Sequence, residues 1–369
     1  MLAIALVALL WPGQAFGQEN AEKILEGLDV SELQQIADEA GGDLNLPELL
    51  GQLVRGEMNL SPQSLMEQAG KLFLNELTGL WPLASALIAP ALLWGVLKQI
   101  RGSGGVSQAA GYVCYLITAL ALLGIFSDQI QRARQAVERI EGLNQSLFPV
   151  LMTLLSATGG AGRAGMINPG AAALSAALSQ WVQGTALSLI SMTALLAIIG
   201  NLSPALRFDG LFKLAKSCVN GLLGGMMVIF LGIMRVQGLL GASYDSASVE
   251  TMRYAVDNLM PIVGGEVADS LDVLISSAVL VKNALGVTGL ALLLRVSLEP
   301  VIHLATVMLM LKGVAALMEP VADGPVLGCI GQFSEVIKCL LVAVVCAAVL
   351  FMILVGAAMG AGGLLMGAR

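Results

Sequence analysis

CLLVAVVCAAVLFMILVGAAMGAGGLL, residues 339–365, runs without one charged side chain. A stretch of this length and apolarity is long enough to cross the hydrocarbon core of a bilayer. Lipid offers no hydrogen-bond partners, so the backbone must satisfy its own N–H and C=O groups, and a single crossing segment can do that only as an α-helix. The same pattern recurs through the chain from Trp81 onward, with apolar stretches separated by short charged or glycine-rich links. The expected crossings are Leu80–Leu97, Ala109–Ser127, Pro169–Gly200, Cys218–Leu240, Val273–Leu294, Pro300–Met318 and Cys339–Leu365. The predicted fold is therefore all-α: a polytopic helical transmembrane bundle of about seven spans. Composition agrees, with 57% apolar and 12% charged residues and a mean hydropathy of +0.83. Its 43 glycines suit helices that pack closely in lipid.

Two segments between these spans read differently. Asp128–Gln145 is amphipathic: Ile130, Ala133, Val137, Ile140 and Leu143 share one face, while Arg132, Arg134, Glu138 and Glu141 take others. That pattern predicts a helix lying along the membrane interface. Phe148–Thr158 is too short to cross and runs into glycines, which predicts a re-entrant or half-buried piece.

The first 80 residues are of another kind. Residues 1–17 have the build of a signal peptide, with an apolar run, Pro12–Gly13 and small residues at Ala15 and Gly17, although no Lys or Arg precedes the run. Residues 18–80 hold 12 acidic and 3 basic side chains. They predict a small, acidic, helical extracytoplasmic region that docks on the membrane part or on a partner. Ser31 with Gln34 forms a capping box. Pro47 and Ser61–Pro62 open later helices, the last with Leu65, Ala69, Leu72, Leu77 and Leu80 on one stripe. Residues 81–369 form the multi-pass domain. The loop charges orient it: Lys98, Arg101, Arg207, Lys213 and Lys216 mark the cytoplasmic side, and the acidic stretch 242–272 lies outside. Seven crossings then leave residues 18–80 outside and Arg369 inside.

The net charge of −7 resides in the N-terminal region, so nucleic acid is not an expected partner; the bilayer is. Five cysteines lie in or beside apolar stretches without a C-x-x-C pair, and read as small buried hydrophobes. One histidine gives no basis for a histidine metal cluster, and no cofactor is expected. Gly160–Gly165 matches G-x-G-x-x-G, but it follows an apolar helix rather than a strand and reads as a hinge. With no P-loop, H-E-x-x-H or nucleophile elbow, the chain is expected not to be an enzyme.

Charged and polar residues inside spans are expensive and mark the candidate functional positions. They are Lys282 with Asn283, Arg235, His303 and Lys312. One reading is a polar path or ion-coupled site within the bundle. The other is packing, with Lys282 and Asn283 bonded to a neighbouring helix and Arg235 snorkelling outward.

Three segments carry a resemblance: PVLMTLLSATGG (149–160), DNLMPIVGGEVADSLDVLISSAVLVKNALGVTG (257–289) and MEPVADGPVLGCIG (318–331). They resemble the stage III sporulation protein AE family of endospore-forming bacteria. The resemblance implies a subunit of the stage III A sporulation channel, a secretion-like complex linking mother cell and forespore and needed for late forespore gene expression. It places the chain in the mother-cell membrane around the forespore, with its N-terminal region in the intermembrane space. The implied partners are the other stage III A proteins, including an ATPase and ring-forming subunits, and the stage II Q forespore protein. No catalytic residues come with the family; Lys282, Asn283, Pro261 and Gly264 are motif positions only. An independent ion-coupled secondary transporter and a structural scaffold for ring assembly without a permeation path are the competing readings.

Overall fold

The computed structural model describes residues 62–100, 105–157, 173–202, 209–259, 264–320 and 324–360, together with Gln34. The expected signal peptide, the capping box at Ser31, the Pro47 helix and the glycine motif at 160–165 lie outside the described residues.

Every described element is helical. In chain order they are α1 (Pro62–Gly79), α2 (Trp81–Ile100), α3 (Gly105–Ala157), α4 (Leu187–Leu202), α5 (Asp209–Leu259), α6 (Gly264–Met318) and α7 (Pro325–Gly360). A π-helical turn, Trp181–Ala186, leads into α4 and buries Val182 and Ala186. Its last ring closes when the Leu187 N–H donates to the Val182 carbonyl. α7 opens on Pro325, whose missing N–H would have no intrahelical partner in any case. The preceding turn uses Gly324 at φ 87°, a left-handed conformation open to glycine.

Among the described residues, five helices are long and apolar enough to cross a membrane, or six if α1 and α2, bent by 46° at their junction, count as one broken span. That corrects the expected seven. Val273–Leu294 and Pro300–Met318 are one helix, because α6 runs straight through Pro300. Six crossings would put residues 62 and 360 on one side, whereas five, like seven, would separate the two ends. The expected acidic outer loop at 242–272 is mostly helix as well, shared between the end of α5 and the start of α6. Nor do residues 148–157 form a separate piece. Residues through Ala157 complete α3, with Pro149 inside it, and Asp128–Gln145 is the middle of that same helix.

Continuity has a packing cause. A proline removes one hydrogen bond and crowds the preceding turn. Helices enclosed by neighbours tolerate that loss better than isolated ones. Around Pro149, the residues Leu147, Phe148, Leu151, Met152, Leu154 and Leu155 are all buried. The amphipathic stretch before it buries Ala133, Ala136, Val137, Ile140 and Leu143, and so lies against the bundle, not along an interface apart from it. At about 1.5 Å per residue α3 and α6 are each about 80 Å long, well beyond the hydrocarbon thickness of about 30 Å.

The apolar interior has two layers along this axis. One contains Leu87, Leu122, Ile190, Val219, Leu311 and Phe333, and the other Leu147, Leu151, Leu285, Leu293, Phe351 and Val355. α3 and α7 give early residues to the first layer and late residues to the second, whereas α6 does the reverse. So α6 runs antiparallel to both. Val137, Val182 and Ala347 form a small cluster of their own.

Candidate functional site

Glu335 is the one acidic side chain in α7. Its Oε2 accepts a hydrogen bond from Lys216 Nζ of α5 at 2.7 Å, and its Oε1 lies 3.4 Å from Lys312 Nζ of α6. One turn earlier on α7, Gln332 Nε2 donates to Asp209 Oδ1 (3.0 Å) while Gln332 Oε1 accepts from Asn201 Nδ2 (3.0 Å). A single turn of α7 therefore ties α4, α5 and α6 together through side chains. Gly328, one turn further back, permits the approach of Asn201: a Cβ there would stand 2.5 Å from Asn201 Oδ1. The lysines and the glutamate are all partly exposed, so each pair is screened and individually worth about 0–1 kcal/mol. The cluster has the chemistry of a clamp: two ammonium groups share one carboxylate.

Lys282 sits at the other end of α6 and is wholly buried. Its Nζ donates to the Met359 carbonyl at 2.9 Å, one residue before α7 ends. The last four carbonyls of a helix lack intrahelical donors, and that end carries the negative pole of the macrodipole. The ammonium therefore meets a main-chain acceptor close to the last described residue of α7. Gly286, one turn on from Lys282, makes room for the same residue, since a Cβ there would lie 2.3 Å from Met359 Cγ. Lys282 grips the main chain of Met359 while Gly286 accommodates its side chain. Asn283 follows, half-buried.

His303 lies on α6 with its Nδ1 2.7 Å from Glu76 Oε2 of α1; its Nε2 has no hydrogen-bond partner among the described residues. This contact fastens α1 to α6. Of the α1 stripe, Leu80 is buried just beyond the helix and Leu72 half-buried, but Leu77 is exposed. Arg235 is exposed on α5.

The five sequence candidates thus occupy separate places. Lys282 and Lys312 are about 45 Å apart along one helix. Sequence reading missed Glu335, Lys216, Gln332, Asp209 and Glu76 as partners. Starting the last span at Cys339 left Glu335 outside it, although a lone acid in a long apolar helix was the available signal. Four cysteines are buried as expected, whereas Cys218 is exposed.

The comparisons with known proteins bear on the whole bundle. The family model described as stage III sporulation protein AE matches residues 44–362. This chain belongs to that family. Stage III sporulation protein AE of Bacillus subtilis (strain 168) is similar to it, at 25% identity over 360 residues covering 95% of this chain and 90% of the relative. No solved structure matches. Membership in the stage III sporulation protein AE family makes the chain a sporulation protein with several apolar helices long enough to cross a membrane, in the context of the stage III A complex. Both Lys282 and Glu335 fall inside the matched segment.

Proposed function

We propose that the chain is a non-enzymatic membrane subunit of the stage III A assembly, joining mother cell and forespore and needed for late forespore gene expression. The observation that carries this reading is the family match across almost the whole bundle. In this reading the chain sits in the mother-cell membrane around the forespore, with its N-terminal region in the intermembrane space. Its partners there are the ring-forming stage III A subunits and the stage II Q protein, with the ATPase on the cytoplasmic side. The charge pattern supports that orientation. Because α6 is one helix, Lys312 comes to the same end of the bundle as Lys216 through their shared contact with Glu335, and Lys213 and Lys338 lie one turn from Lys216 and Glu335 on their own helices. Four lysines at one end suit the cytoplasmic side.

The same geometry disfavours an independent ion-coupled transporter built on Lys282, because that ammonium is engaged with the end of α7. Deleting the gene in a spore-former and following late forespore transcription tests the proposal. Loss of that transcription, restored by the gene in the mother cell, is the expected result; normal transcription and normal spores contradict it.

A further inference from the structure

α3 and α6 are each about 80 Å long and a hydrocarbon core is about 30 Å thick, so more than half of either helix lies outside lipid. The exposed surface shows which part. α3 turns Tyr112, Val113, Leu116, Ile117 and Leu120 outward. Beside them Trp94 of α2 packs on Gly111, with Leu92 and Leu93 exposed next to it. The Tyr115 hydroxyl donates to the Ile198 carbonyl of α4, where Leu195 and Ile199 are exposed. On α6, Leu309 and Leu317 face outward as well. These side chains form an apolar belt.

Beyond Ser127 the surface changes character while the interior does not. From Asp128 to Ser156 every exposed residue of α3 is polar or charged, apart from Pro149. Residues 173–188, brought alongside where Val182 meets Val137, expose only Ala, Gly, Ser, Thr and Gln. Between Ser277 and Pro300 α6 exposes only Arg295 and Glu299, and from Cys346 to Met359 α7 exposes nothing. Yet this layer is filled by Leu151, Leu285, Leu293, Phe351 and Val355. Apolar side chains within and polar ones without are the pattern of helices packed in water. Charges such as Arg132, Arg134, Glu138 and Glu299 are costly in lipid and at ease in water. Asp128 and Arg132 pair one turn apart at 2.9 Å with both side chains more than half exposed, as on a water-facing helix.

α5 fixes the slope of the belt. Its uncharged stretch, residues 217–234, lies between Lys216 and Arg235, spans about 27 Å as helix and exposes Val228, Ile229, Leu231 and Ile233. Met227 Sδ is 3.7 Å from Cys346 Sγ, so this stretch reaches further along the bundle than the apolar face of α3 does. The belt therefore lies aslant, with the Glu335 clamp at its near edge on the α5 side; membrane helices tilt from the bilayer normal by about 20° on average.

We propose that the bilayer ends on α3 near Asp128 and that the Lys282 layer stands beyond it in water. The aqueous domain comprises α3 from Asp128 onward, residues 173–188, α6 up to Glu299 and the end of α7. Lys282 and Asn283 then belong to the interior of that domain, and no path across the hydrocarbon passes them. α2 runs from Trp81 toward its contact with Gly111, away from this domain, so α1, which meets α6 at His303, lies toward the domain's side. The placement goes beyond the sporulation role and does not rest on it. Taken with the orientation proposed above, it puts the domain in the intermembrane space.

Single nitroxide labels in the full-length chain, reconstituted in phospholipid vesicles, test it by collision with oxygen, which partitions into lipid, and with a water-soluble nickel chelate. The labels go on Gln135, Thr153 and Gln180, and on Leu116, Leu120 and Leu195, in a Cys218→Ser chain whose other four cysteines are buried. All six positions are exposed. Thermal unfolding identifies any label that disturbs the fold, and an exposed neighbour then takes its place. The expected result is nickel contact several-fold higher at 135, 153 and 180 than at 116, 120 and 195, with oxygen contact ranked the other way. Oxygen contact without nickel contact at 135 or 153, exclusion of both reagents there, or nickel contact at 116 and 120 would each overturn the proposal.

Discussion

The two ends of the α6–α7 pair handle charge in opposite ways. At the Glu335 end, partly exposed lysines share a carboxylate and water screens the pairs. At the Lys282 end, a wholly buried ammonium donates to a main-chain carbonyl near the last described residue of α7. The difference teaches that a lysine in an apolar helix need not mark a transport path. The end of a neighbouring helix can compensate it, and then the charge matters most where it is driest.

Substitutions should grade along that contrast. Lys282→Glu places a carboxylate beside the carbonyl end of α7 and should destabilise by about 3–5 kcal/mol, as breaking a buried charge contact does. Loss of the protein from membranes on immunoblots is the expected readout. Gly286→Ala crowds Met359, whose flexible side chain must move, and should cost about 1–3 kcal/mol. Adding Met359→Ala should recover part of that in a double-mutant cycle of detergent-solubilised thermal unfolding, whereas simple additivity would show that the two do not meet.

Glu335→Ala comes next. It leaves Lys216 and Lys312 facing one another and should destabilise by about 1 kcal/mol, with the difference shrinking at high salt. A salt-independent loss would mean that the clamp is not electrostatic. Lys312→Met is expected to be smallest, below about 0.5 kcal/mol, because this lysine is nearly half exposed and lies farther from the carboxylate than Lys216 does.

The apolar runs made the helical bundle legible, and the segment around Lys282 made the family legible. What the sequence hid was continuity. Pro149, Pro300 and the charges at 128–141 are ordinary signals for ending a helix or laying it on an interface, yet the apolar positions Ala133, Val137, Ile140 and Leu147 keep α3 against α6 and α7 throughout. A single apolar stripe looks the same whether it meets lipid headgroups or a neighbouring helix, so its period alone does not choose. Partner charges were hidden for a related reason. Glu76 and His303, or Lys216 and Glu335, are more than a hundred residues apart, and only packing brings them together.

The central claim is that Lys282 fastens α7 and is not a station on a transport path. Lys282→Met at the native locus of a spore-former, with membrane protein level and late forespore transcription measured together, tests it most directly. Met keeps much of the volume and removes the charge. The account predicts that the two readouts move together, so that forespore transcription is normal wherever the protein accumulates normally. A variant that accumulates fully and still abolishes that transcription would contradict it.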